Sequence, residues 1–352
     1  MMMADPRPLR PLRILALHSF RTSAAIFEDQ LRRSGLLTGG EDAGDLKFVG
    51  VPAVVRFLDA PNAATGAAPP DVVAGAWPPP YREWFAATRV DDKEDDEERE
   101  READDDAKES RGSSCHVRRR SYVFEGLDAS ERLIASALLL DNDGAGYDGI
   151  IGFSQGAAMG AAMVATQMAV MRTGGALFRR GGPEAAAGGK GGGDPWAHVR
   201  PELAAARVSR FVVCIGAAMA PHPRHLLAFR VLQQKPGEGR SGGVGGAAAA
   251  APSSSSSPLF TAHVIGDNDP VRPFSERLAA AFPAPPLPLV LRHPRGHVVP
   301  RLAAAQVRRL EVLLLLRPAF GSGGGDDGGV AGQDSSTSDD DSGRPPPPRS
   351  RL

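Results

Sequence analysis

Short, unbroken apolar runs recur along this chain, and helical patterns separate them. The runs are RILALH (13–18), VVRFLDA (54–60), DGIIGF (148–153), RFVVCIG (210–216), TAHVIG (261–266) and PLVLRH (288–293). Continuous rather than alternating hydrophobicity over five to seven residues is the signature of strands buried on both faces. Between them lie SAAIFEDQLRRSG, DASERLIASALLLD, SQGAAMGAAMVATQMAVM, PFSERLAAAF and RLAAAQVRRLEVLLLL, with apolar positions at helical spacing. Asp128 and Pro300 read as start signals for two of these helices. Strands alternating with helices predict an α/β fold with a mostly parallel central sheet and helices on both faces.

Four stretches break the alternation: a charged one at 90–114, glycine-rich ones at 179–194 and 235–258, and a tail at 321–352. They hold too few large apolar side chains to offset the entropy of ordering, so the sequence predicts disordered insertions and a disordered tail around one domain at 12–320. The net charge of −1 argues against nucleic acid as the main partner. Two cysteines make no disulfide framework, and Cys214, inside an apolar run, reads as a small buried residue. The first apolar run is short enough to be a strand rather than a signal peptide, and no run is long enough to span a membrane. A soluble cytoplasmic protein is the expectation.

Chemistry enters at residues 152–156, Gly-Phe-Ser-Gln-Gly, a G-x-S-x-G segment with a strand before it and a helix after it. That context is the one a nucleophile elbow requires: Ser154 on a tight turn above the sheet edge, with glycines where a Cβ would collide. The Gln155 N–H, opening the helix, would face a developing oxyanion, and the loop after the first strand offers Phe20 N–H as a second donor. A serine needs a base and a group to orient it. The strand ending in DNDPVRP offers Asp267 and Asp269, and the strand ending in HPRGHVVPR offers His293 and His297. Asp269 and His297 lie further along their loops and are the better placed, with Asp267 expected to cap the turn. The chain order Ser154, Asp269, His297 is that of α/β-hydrolases. His222 and His225 have no carboxylate or cysteine at ligand spacing, so no metal role is expected for them. Trp77, Tyr81 and Trp84, in WPPPYREWF, read either as a core cluster under a loop or as a substrate-binding wall over the serine; Met159 and Met163 read as core.

With these residues in place, the chain resembles the FSH1-type serine hydrolases, the family that includes the ovarian-cancer-associated gene 2 protein homologues. The resemblance rests on ILALHSFRTS, FLDAP, WPPPYREWF, YDGIIGFSQGAAM, VIGDNDPV and HPRGHVVPR. It implies an α/β-hydrolase fold, a triad of Ser154, Asp269 and His297, and no cofactor and no metal. The chain departs from the family at His18-Ser19, where His-Gly is usual, so a Cβ at a strained position is a concern there. The expected activity is hydrolysis of a small-molecule carboxylic ester with an apolar acyl chain. An acyl-protein or lysophospholipid thioesterase and a weakly catalytic ligand-binding protein are the alternatives.

Overall fold

The computed structural model describes residues 10–40, 45–64, 75–90, 121–139, 146–173, 196–206, 209–219, 222–234, 259–282 and 288–315. The first strand, β1 (Leu12–Leu17), is followed by helix α1 (Ala24–Ser34). Ser23 caps that helix through the Ile26 N–H, and Gly35 ends it in the left-handed region. Two short strands, β2 (Leu37–Thr38) and β3 (Lys47–Phe48), precede β4 (Val51–Leu58). Two small ribbons come next, β5 (Asn62–Ala63) with β6 (Arg82–Glu83), and β7 (Ala86–Val90) with β8 (Ser121–Glu125). The rest alternates: α2 (Leu127–Leu139), β9 (Gly149–Phe153), α3 (Gln155–Thr173), α4 (Arg200–Ala205), β10 (Phe211–Ile215), α5 (Pro223–Gln233), β11 (Phe260–Gly266), α6 (Arg272–Ala281), β12 (Leu289–His293) and α7 (Ala304–Leu315).

The main sheet has eight strands in the order β12-β11-β10-β9-β1-β4-β3-β2. Six of them, β12 through β4, run parallel, and the short β3 and β2 add an antiparallel edge. This is the mostly parallel α/β sheet that the alternation predicts, in the α/β-hydrolase fold that the family resemblance implies. The pleat separates two cores. Leu15, Leu17, Ile150, Val212 and Cys214 face helices α2 to α5, whereas Ile14, Ala16, Ile151, Val213 and Val264 face α1 and α7. Every residue of β9 and β10 is buried, which accounts for their unbroken apolar runs. Met159 and Met163 belong to the first core, as read from the sequence.

Several local expectations are corrected. The second main strand starts at Val51 and alternates in burial, with Val54 exposed, because it lies beside the short edge strands rather than in the middle of the sheet. Asp128 sits inside the first turn of α2 instead of before it, and α7 opens at Ala304, four residues beyond Pro300. The β7–β8 ribbon and the helices α4 and α5 had no clear periodic signal. Val90 closes β7, so the charged stretch begins one residue later; its remainder to 114, and 179–194, 235–258 and 321–352, lie outside the described residues. The chain divides into Met1–Arg317 and Pro318–Leu352, and all the described structure belongs to the first unit.

Candidate active site

Parallel strands deliver their carboxyl ends to one edge of the sheet, and five of those ends, of β1, β9, β10, β11 and β12, build the site. Ser154 connects β9 to α3 with φ +54°, a conformation that costs a non-glycine residue about 1–3 kcal/mol. The turn is held by the Ser154 N–H, which donates to the Ile215 carbonyl at 2.9 Å. Both flanking glycines are sterically required. A Cβ on Gly152 would stand 2.5 Å from the Ala157 backbone, and one on Gly156 would press into the carbonyl oxygens of Leu17 and His18.

The acid and the base come from the loops after β11 and β12, which are laced together. Asp267 N–H donates to the His293 carbonyl (2.8 Å), Asn268 N–H to the Arg295 carbonyl (3.2 Å), and the Asn268 side chain to the Pro294 carbonyl (2.7 Å). Gly266 lets them approach, since a Cβ there would lie 2.5 Å from the Arg295 carbonyl oxygen. On this platform Asp269 Oδ2 lies 2.9 Å from His297 Nδ1, and His297 Nε2 lies 2.8 Å from Ser154 Oγ. A carboxylate accepts, so Nδ1 carries the proton and Nε2 is free to accept from the serine hydroxyl. The Asp269 side chain is buried, whereas His297 is one-third exposed and leans on Phe153. Gly216, with φ +53°, closes the fourth side; a Cβ there would stand 3.2 Å from Asp269 Oδ2 and the His297 ring.

The rival residues face elsewhere. Asp267 is half exposed and pairs with Arg292 at 3.4 Å and Arg272 at 3.8 Å. The turn cap expected of it belongs to Asp269, whose Oδ1 accepts the Val271 N–H at 2.9 Å. His293 is buried, its Nδ1 accepts the Arg295 N–H, and burial pushes its pKa below the usual histidine range.

On the other side of Ser154 lies the loop after β1. His18 is fully buried, and burial lowers its pKa to about 4. Its Nε2 accepts the Ala60 N–H at 2.9 Å, which leaves the proton on Nδ1 to donate to the Ser19 carbonyl at 2.7 Å. Thr22 Oγ1 donates to the same carbonyl at 2.8 Å. Ser19 lies outside the left-handed region, because the positive-φ non-glycine residues among those described are Arg21, Val49 and Ser154. The serine in place of glycine therefore brings no backbone strain. Phe20, whose N–H the sequence nominated, has an exposed ring with the Arg21 guanidinium 4.5 Å above it. Gln155 begins α3, so its N–H belongs to the first turn, where helical donors have no intrahelical acceptor.

The aromatic segment divides. Trp84 is completely buried beneath the site, and its indole donates to the His18 carbonyl at 2.8 Å. The reading of Trp84 as a substrate wall is corrected: no surface of it is left to touch a ligand. Trp77 donates to Asp29 of α1 at 2.9 Å, and Tyr81 donates to the Trp77 carbonyl at 2.7 Å. Trp77 and Pro78–Pro80 line a cavity of about 320 Å³ with Ile26, Asp59 and Arg82; Ser154, Asp269 and His297 are not among its lining residues.

Sequence spacing also hides a second polar cluster. Buried Glu131 of α2 meets His225 Nε2 and His198 Nε2, each at 2.5 Å, and Arg224 at 2.9 Å. Although burial alone would raise the Glu131 pKa, the hydrogen bonds and charges of His225, Arg224 and His198 hold it below the usual range. Asp128, Glu131 and His198 lie close enough to hold a cation, but Arg224 already bridges both carboxylates.

Among the described residues no helix is long and apolar enough to cross a membrane. Among solved structures, the chain is similar to Zea mays acyl-protein thioesterase 2, with 14% identity and a TM-score of 0.40 over 88% of this chain and 97% of that one. It is also similar to an esterase of Pyrobaculum calidifontis, with 13% identity and a TM-score of 0.25 over 54% and 59% of the two chains. Neither likeness bears on substrate. Comparison with curated proteins gives no match. Residues 7–308 match the family described as serine hydrolase (FSH1), which spans the whole site from His18 to His297, and the chain belongs to that family.

Proposed function

We propose that this serine hydrolase cleaves carboxylic esters through an acyl-enzyme on Ser154. His297 Nε2 takes the hydroxyl proton as Oγ attacks the ester carbonyl, and Asp269 stabilises the imidazolium that forms. The N–H groups of Phe20 and Gln155 receive the negative charge on the carbonyl oxygen. His297 then returns the proton to the departing alcohol, and a water deprotonated by the same nitrogen releases the acid. The reading rests on one observation above the others: His297 bridges Asp269 at 2.9 Å and Ser154 at 2.8 Å, with the serine held at φ +54°. The exposed side chains of Phe20, a proposed oxyanion donor, and Val298, next to His297, support the reading of an apolar acyl group.

The test is active-site labelling with a fluorophosphonate, alongside turnover of p-nitrophenyl esters. Ser154→Ala is expected to abolish labelling and to lower kcat on the order of 10⁶-fold, as loss of a triad serine does. Labelling that survives the substitution would refute the assignment.

A further inference from the structure

We propose that the Gln155 side chain, acting through Trp84, is a positioning residue that sets the geometry of the oxyanion hole; this inference rests on the esterase reading above. The two proposed donors stand on different elements, Phe20 on the loop after β1 and Gln155 at the start of α3. They stabilise an oxyanion only when both N–H groups aim at one atom from about 2.7–3.1 Å. Ser154 and Gln155 are fixed by the elbow. The loop is stiffened internally by the bonds of His18 and Thr22 to the Ser19 carbonyl, but those bonds do not set its distance from α3.

Gly156 brings α3 against the Leu17 and His18 carbonyls, and beyond that contact a relay of hydrogen bonds ties the loop to α3. Gln155 Oε1 accepts the Trp84 N–H at 2.8 Å, and Gln155 Nε2 donates to the Phe85 carbonyl at 2.7 Å. Backbone 84–85 is thereby clamped to the first residue of α3. The Trp84 indole then donates to the His18 carbonyl, two residues before Phe20, at 2.8 Å. Its ring packs on the His18 ring, with centroids 5.2 Å apart. The same residue thus carries one oxyanion N–H on its backbone and, through its amide and Trp84, the tie to the loop that carries the other. The residue type is specific. A primary amide offers a donating NH2 and an accepting oxygen side by side, a carboxylate gives no donor, and asparagine is one methylene too short to span the same gap.

The experiment uses the full chain carrying Gln155→Met, Gln155→Glu or Trp84→Phe. The readouts are kcat and KM for p-nitrophenyl butyrate, the Ki of a trifluoromethyl ketone, and a thermal melt. Ser154 Oγ adds to the ketone carbonyl carbon as its proton passes to His297 Nε2, and the C=O π pair becomes an alkoxide where the oxyanion forms, so the Ki reports on the hole. The expected result is a fall in kcat of about 10- to 100-fold, KM little changed, and a parallel rise in Ki, the signature of weakened oxyanion donors. Wild-type kcat in the folded variants, or a loss of kcat without the rise in Ki, would overturn the inference. Should Gln155→Met not fold, Trp84→Phe decides: it removes the indole N–H with the pyrrole portion of the ring, keeps a six-membered aromatic ring on His18, and its thermal melt separates the effect of the smaller ring from that of the lost bond. Wild-type protein that neither turns over the ester nor takes the fluorophosphonate would overturn the esterase reading itself, whereas active wild type with unaffected variants overturns this inference alone.

Discussion

Asp267 and Asp269 are two residues apart and chemically identical, yet their surroundings assign them different work. Asp269 is buried with one oxygen on His297 and the other on the Val271 N–H, so its direction is fixed. Asp267 is half exposed between Arg272 and Arg292, where solvent screens the pairs and each contributes little. Asp269→Asn should therefore lower kcat by about 10⁴-fold by holding the imidazole in the wrong tautomer, while Asp267→Asn should leave ester turnover nearly unchanged. Turnover by the two purified variants decides it, and a larger loss at Asp267 would move the acid. Gly216 belongs to the same scale. Its positive φ and the 3.2 Å approach of Asp269 and His297 mean that Gly216→Ala should depress kcat by displacing the pair.

Elements are joined here by polar ties as well as by the two cores. Glu131 of α2 links His225 and Arg224 on α5 with His198 just before α4, so one buried carboxylate fixes three helical segments. Removing it would leave Arg224 and two imidazoles without their acceptor. Glu131→Leu is expected to cost about 3–5 kcal/mol, as breaking one side of a buried charge pair does, and urea denaturation measures it. Because the folded pKa of Glu131 is depressed, the unfolded carboxyl takes up its proton first on acidification. The stabilisation is present above the usual carboxyl pKa and is lost as pH falls through the lowered one.

At the scale of the whole molecule, the buried His18 and His263 and the half-buried His222 contribute to the response to acid. His18, His222 and His263 all have pKa values lowered by burial from 6.5 to about 4. Between those values the unfolded chain binds protons that the folded chain refuses, so stability rises with pH across that window and falls on acidification. The Tm should drop as pH is lowered from 7 to 5. His263, whose Nε2 is buried without a hydrogen-bond partner among the described residues, sits away from the site on β11, and His263→Leu should make that drop smaller. A Tm that is flat from pH 7 to pH 5 in the native sequence would contradict this account.

The α/β architecture was legible because unbroken apolar runs and helical spacing are local signals, and a parallel sheet forces strand ends to a common edge. Once the strands before Ser154, Asp269 and His297 were recognised, their meeting followed from chain order. The glycines around Ser154 were legible for the same reason, since the strand-turn-helix context names the collision each one avoids. What the tertiary structure alone decided depends on contacts between residues far apart in the chain. Trp84 in a proline-rich segment reads equally well as wall or core until the fold puts it under His18. Glu131 meets His225 across 94 residues, and no spacing rule encodes that approach. No local pattern gives the Gln155 amide a partner, because its partners at 84 and 85 arrive only when β6 and β7 pack beside the elbow. Periodicity determined the central buried strands and the sheet edge at which Ser154, Asp269 and His297 meet; packing determined which buried polar groups face one another, because that depends on register between elements the chain connects only at a distance.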